Sequence, residues 1–225
     1  MNAITLLPDD AVGPLTSDKQ LLKRGERLLE PDVYRAAIGG RAAVIKDYRR
    51  YRGTFLAPLA RLLVRREAQM LRRLAGWKHA PALVGVIGGL ALGMEYINGQ
   101  TLSSLQVADG QVFDQLHKAL ERLHEQGITH NDLHGTNVMV AAGVPVLIDF
   151  TSAWRTPRWR RNNPIARQLR RSDLKNLLKM RKRVTGIEVP PELAARVAEP
   201  QWVSVIRNGW KRNYQRFKAR HNAHA

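Results

Sequence analysis

Residues 127–150, GITHNDLHGTNVMVAAGVPVLIDF, restrict the fold more than any other part of the chain. Gly127 stops a helical pattern in which Val112, Leu116, Ala119, Leu120 and Leu123 form one apolar stripe, with Asp109 as its expected cap. His130, Asn131, Asp132, His134 and Asn137 then crowd a few positions. Two brief apolar strands follow, NVMV and VPVLIDF, turned at Ala142-Gly143, and the second ends on Asp149. So many polar groups between a helix and a hairpin suit one of two chemistries, a metal cluster or a phosphate-transfer loop.

The metal alternative rests on the alternation of His130, Asp132 and His134, which along a strand would share one side. No further cluster of His, Asp or Glu nearby completes a coordination set. The phosphate-transfer alternative uses more of the residues. Asp132 and Asn137 stand in H-x-D-x-x-x-x-N, with Asp149 twelve positions beyond Asn137. Phosphoryl transfer asks little covalent help of a protein. It asks for magnesium held by oxygen ligands and a carboxylate beside the attacking hydroxyl.

The rest of the chain supplies a frame. VYRAAIGGRAAVIKDY and ALVGVIGGLALGMEY each read as a hairpin, since Gly39-Gly40 and Gly88-Gly89 provide the positive φ of tight turns. Between them, PLARLLVRREAQMLRRLAG carries Leu59, Leu62, Leu63, Met70, Leu71 and Leu74 near helical spacing, ending at Gly76. These signals predict an α+β fold: residues 1–20 as a leader, a small antiparallel-sheet lobe with one helix over 21–97, and a mainly helical lobe over 98–225.

Charge is unevenly placed. Residues 1–150 hold 18 Lys/Arg against 15 Asp/Glu, while residues 151–225 hold 19 against 4. A basic third on a near-neutral body suggests an anionic partner or a solvated face. Cysteine is absent, which excludes disulfides and thiolate metal sites. MNAITLLPDD lacks the basic start of a signal peptide, and the uncharged run Ala80 to Met94, broken by four glycines, is too short to span a membrane.

The motifs together resemble the protein kinase superfamily. HNDLHGTN resembles its catalytic loop and IDF the start of its D-F-G motif, while AVIKDY resembles the V-A-I-K strand, RREAQMLRRL its ion-pairing helix and MEYING the adenine-binding hinge. The resemblance covers about residues 25 to 180 and implies a two-lobed enzyme that uses ATP and Mg2+. It implies Lys46 and Glu67 as the phosphate-orienting pair, Glu95 and Ile97 at the nucleotide, Asp132 as the catalytic base, and Asn137 and Asp149 as metal ligands. His130 is expected beneath Phe150, and His134 near the transferred phosphate.

Three departures stand out. LLEPDVYRA occupies the place of a glycine-rich loop, Asn131 replaces the arginine of H-R-D, and Thr151 replaces the D-F-G glycine. Activation by loop phosphorylation is therefore not expected. The run TSAWRTPRWRRNNPIARQLRRSDLKNLLK, which includes an R-x-L-R-R-S-x-L-K-like stretch from Arg167 to Lys175, is most similar to bacterial lipopolysaccharide-core kinases, with RIO-type minimal kinases next. That likeness implies a cytoplasmic enzyme with an anionic glycan or glycolipid acceptor, received by His134, Arg155, Arg158, Arg160 and Arg161 at the cleft mouth. A protein kinase and a nucleotide-binding pseudokinase are the alternatives, and nucleic acid ranks last as a partner. Trp202, Ile206, Trp210, Tyr214 and Phe217 recur among basic residues, as expected of a helix that packs on the lobe, lies on the inner face of an anionic membrane, or fills a partner's groove.

Overall fold

The computed structural model describes residues 6–7, 19–105 and 110–197. The aromatic tail from Trp202 to Phe217, most of the expected leader and the expected cap Asp109 lie outside the described residues. The first lobe holds strands β1 (Leu6–Leu7), β2 (Gln20–Lys23), β3 (Asp32–Ile38) and β4 (Arg41–Asp47), helix α1 (Ala57–Arg73), and strands β5 (Leu83–Ile87) and β6 (Ala91–Glu95). Its six strands are ordered β1-β5-β6-β4-β3-β2. Leu6 and Leu7, from the stretch expected as leader, pair in parallel with Val86 and Ile87. Gly39 and Gly40 turn the β3–β4 hairpin at φ +56° and +74°, in the left-handed region where a side chain is strained.

Alternation along β4 aims its side chains. Ile45 packs with Ile87 and Ala91 on the outer face. Val44 and Lys46 therefore point to the other face, toward α1 and the second lobe.

Helix α1 settles on that inner face by a different stripe from the one its leucines suggest. Ala57, Ala60, Val64, Glu67, Ala68 and Leu71 are buried, while Leu59 and Leu62 are 42% and 49% exposed. Apolar residues cover two sides of this helix. The side with alanines wins because small residues let the helix lie close to the sheet, and the choice carries Glu67 inward.

The chain crosses to the second lobe through residues 96–99. Strand β7 (Gln100–Thr101) is followed by helix α2 (Gly110–Glu125) and strands β8 (Ile128–Thr129), β9 (Val138–Ala141), β10 (Val144–Leu147) and β11 (Trp154–Arg155). Helices α3 (Pro164–Thr185) and α4 (Pro191–Arg196) complete it. β10, β9 and β7 form one small sheet, and β11 pairs antiparallel with β8. The expected α2 stripe is buried throughout, joined by Phe113. α3 starts at Asn163, whose side chain accepts the Ala166 N–H at 2.6 Å, and stops at Gly186 with φ +70°. Gly127 is fixed twice over: its φ is +76°, and a Cβ there would meet the Thr156 carbonyl at 2.6 Å. Among the described residues no helix is long and apolar enough to cross a membrane.

Candidate active site

A cavity of about 370 Å³ lies between the lobes. Val33, Val44, Met94, Met139 and Ile148 give it apolar walls, Glu95, Tyr96 and Ile97 one rim, and Lys46, Asn137 and Asp149 its inner end. The Glu95 carboxylate accepts the Ala82 N–H at 3.0 Å, so at this rim it braces the crossing.

Lys46 Nζ donates to Glu67 Oε1 at 2.7 Å, Glu67 Oε2 at 3.0 Å and Asp149 Oδ1 at 2.7 Å. Burial works to lower its pKa, but the two carboxylates outweigh that and hold the ammonium well above the usual lysine value. Glu67 also accepts the Phe150 N–H at 3.2 Å and the Thr151 hydroxyl at 2.9 Å. The same hydroxyl lies 2.7 Å from Asp149 Oδ1. Thr151, where the motif expects glycine, thus sits between the two carboxylates that share Lys46.

Asp149 adopts a left-handed backbone, φ +62° and ψ +74°. Burial pushes its carboxyl upward, yet Lys46 and Thr151 prevail and hold it down at about 2 against an ordinary 3.8. A depressed carboxyl gives its full stabilisation above the unfolded value and loses it as pH falls through the folded one. The stability difference between the parent and Asp149→Asn should therefore stay constant above about pH 4 and shrink between about pH 4 and 2. Urea unfolding across that window checks this; a constant difference would contradict it.

Asp132 lies at the mouth, about half exposed. Asn137 Nδ2 donates to its carbonyl at 2.9 Å and to Oδ2 at 3.1 Å. With its amide nitrogen so engaged, Asn137 offers its carbonyl oxygen as the remaining ligand group. His134 Nε2 lies 3.6 Å from Asp132 Oδ2, and its Nδ1 lies 2.6 Å from the Thr136 hydroxyl. With the proton on Nε2, toward the carboxylate, Nδ1 accepts from Thr136; with it on Nδ1, the ring donates instead.

His130 is fully buried, its ring 5.0 Å from that of Phe150 and its Nε2 donating to the Ile148 carbonyl at 3.0 Å. Burial lowers its pKa, and its buried Nδ1 has no hydrogen-bond partner among the described residues. The ring is a neutral strut, sealed from any ion. Among the described residues no group of three His, Asp or Glu could hold a metal, so the alternation read from the sequence does not form a cluster.

Two anchors were missed by sequence reasoning. Asp173 of α3, buried completely, accepts the backbone N–H groups of His130 at 2.8 Å and Asn131 at 2.9 Å, and His124 Nε2 at 3.0 Å. It sits within the basic run Arg167–Lys175, where arginines dominate the pattern. Asn131, with φ +64°, reaches the Ser152 carbonyl at 3.0 Å. Asp173→Asn would turn an amide NH2 against one of these donors, and leaving such a buried group unmatched costs about 1–3 kcal/mol. A loss near that size in chemical denaturation is expected; a change under about 0.5 kcal/mol would show that the anchor is dispensable.

The second anchor is Arg50. Its Nη1 donates to the Gly25 carbonyl at 2.6 Å, and its Nη2 to the carbonyl of Glu30 and the Tyr51 hydroxyl. Glu30 accepts the N–H groups of Glu26 and Arg27 at 3.0 and 2.9 Å and pairs with Lys23 at 2.6 Å. Lys23, Glu30 and Pro31 roof the cavity. Where the glycine-rich loop is missing, side chains brace the cover from outside.

The four arginines expected at the cleft mouth lie on β11 and in the segment that follows it. β11 runs antiparallel to β8, pairing Trp154 with Thr129 and Arg155 with Ile128, and Thr156 N–H then bonds Gly127. Each step past Asp149 thus retreats along the strand leading into the loop. Arg161 ends against Gly127, and neither Arg155, Arg158, Arg160 nor Arg161 lines the inter-lobe cavity.

The RIO domain matches residues 33–192, and RIO-type kinases were the second resemblance drawn from the sequence. A protein of Methanothermobacter thermautotrophicus, named "Probable bifunctional tRNA threonylcarbamoyladenosine biosynthesis protein", is 33% identical over 128 residues, covering 54% of this chain and 23% of the relative. The chain thus spans about a quarter of that relative's length. The Rio2 kinase of Chaetomium thermophilum, solved as an ADP/Mg2+-phosphoaspartate complex, superposes with a TM-score of 0.61 at 16% identity, covering 79% of this chain and 60% of that one. A second structure of the same kinase gives 0.61 at 18% identity, covering 80% and 63%. At such identities these two establish the fold. With the family match running over well more than half of its length, the chain belongs to the RIO domain family and has its kinase-like fold.

Proposed function

We propose that the protein is an ATP- and Mg2+-dependent phosphotransferase of the RIO kinase type, acting on a hydroxyl of a protein acceptor. The observation that carries this reading is one arrangement: Lys46 shared by Glu67 and Asp149 at the inner end of an apolar cavity, with Asn137 and Asp132 across from it. The cavity walls suit a nucleotide base. The oxygens of Asn137 and Asp149 form a hard donor set that fits Mg2+, which when bound would neutralise charge on the phosphates. Lys46 directs its ammonium at the phosphates, and Glu67 holds it there. Asp132, at the mouth, orients the acceptor hydroxyl and takes its proton late, while His134 steadies the carboxylate.

A second acceptor class, the anionic glycan or glycolipid of the lipopolysaccharide core, draws on the charge of the second lobe. Arg155, Arg158, Arg160, Arg161, Arg167 and Arg170 have no carboxylate partner among the described residues, and guanidinium forks suit any oxyanion. The name of the Methanothermobacter relative adds a protein of a tRNA-modifying system as a candidate acceptor. Labelled ATP offered separately to lipopolysaccharide core, to a proteome extract and to buffer decides. Label on protein is expected. Label on core glycan alone would reverse the choice of acceptor, and no label anywhere would contradict phosphotransfer.

A further inference from the structure

Beside the catalytic loop lies a second cavity of about 390 Å³. Thr136 lines both, so the two meet across one turn of chain. His134, which faces Asp132, forms part of its wall. Leu102, Leu105, Met180 and Val184 give it an apolar lining, with Ser103 and Arg183 as polar members. The wall is fixed: Ser103 N–H bonds the Gly135 carbonyl at 3.1 Å, and a Cβ on Gly135 would press Ser103 at 3.1 Å. Arg183 is exposed and has no carboxylate partner among the described residues, whereas its neighbours Arg181 and Lys182 pair with Asp114 and Glu188. An apolar lining under one guanidinium that no carboxylate of the described residues pairs suits a short carbon stem that ends in an oxyanion.

We propose that this cavity is an acceptor subsite for an acidic peptide, taking a glutamate or aspartate that flanks the phosphorylated serine or threonine. The methylenes lie on Leu105 and Met180, the carboxylate meets Arg183, and the adjoining hydroxyl is brought to Asp132. Among the residues lining this cavity Arg183 is the one guanidinium. The inference rests on the phosphotransfer reading above.

Short labelled peptides that differ only beside a central serine, carrying Glu, Gln or Lys, test it by fluorescence anisotropy. The parent should bind the Glu peptide about tenfold more tightly than the Gln peptide, the gain of one charge-assisted contact. Arg183→Ala should level that preference, Arg183→Glu should invert it toward the Lys peptide, and Lys179→Ala, on α3 but outside the cavity, should keep it. Equal or absent peptide binding by the parent overturns the subsite, as does a preference that survives Arg183→Ala. Binding of glycerol 3-phosphate but of no peptide overturns the peptide in favour of a small phosphorylated acceptor. Mg·ATP-dependent thermal stabilisation of the parent is read in parallel. A peptide preference without it sinks the phosphotransfer reading and the acceptor role together; stabilisation without a preference sinks the subsite alone.

Discussion

Lys46→Met should lower phosphotransfer by at least about a hundredfold and destabilise the fold at the same time. The rate loss follows from removing a preorganised charge aimed at the phosphates, a class of change that costs roughly 10² to 10³. The stability loss has a separate cause. Methionine leaves Glu67, whose side chain is 2% exposed, and the half-buried Asp149 without their shared cation. Breaking a buried pair from one side costs about 3–5 kcal/mol. For a chain of this size that is roughly 6–20 °C in midpoint. Adding Glu67→Leu should recover part of the stability, since the more deeply buried charge is then gone and only the half-buried Asp149 lacks its cation, and none of the activity. Activity returning along with stability would show that Lys46 serves the fold alone.

Asp132→Asn should behave in the opposite way, with a fold intact and catalysis lost. The side chain is about half exposed, and an amide oxygen can still accept from Asn137 Nδ2. Stability should move by no more than about 0.5 kcal/mol. The turnover number should fall by about 10² to 10⁴, the worth of a positioned base. Asp132 does not line the nucleotide cavity, so affinity for Mg·ATP should be nearly unchanged. A variant with more than about a tenth of parental turnover would remove Asp132 from the mechanism.

The parts of this molecule legible in its sequence are those where local chemistry has one solution. Paired glycines at 39–40 can only turn a hairpin, and the α2 stripe can only face a core. The spacing of Asp132, Asn137 and Asp149 fixes which strand ends meet. What escaped depended on distance in sequence or on competition between faces. Leu59 and Leu62 point outward because alanines pack closer, which no count of leucines reveals. Asp173 acts 42 and 43 residues away from the N–H groups it holds, hidden among arginines. Arg50 braces a loop some 20 to 25 residues upstream. The arginines after Trp154 follow Asp149 closely in sequence yet do not line the cavity, because pairing with β8 sets the direction of that segment. The same basic run drew the resemblance toward lipopolysaccharide-core kinases, where the family match is to the RIO domain.

The central claim is that the inter-lobe cavity is a magnesium-dependent nucleotide site. Thermal unfolding with ATP, in Mg2+ and again in EDTA, tests it most directly. At about 100 times Kd a ligand bound only to the folded state adds about 2.7 kcal/mol, or roughly 5–10 °C for a chain of this length. In Mg2+ the parent should gain a shift of that order, EDTA should abolish most of it, and Asp149→Asn should show little shift in either buffer. Equal shifts with and without Mg2+, or a full shift in Asp149→Asn, would contradict the site.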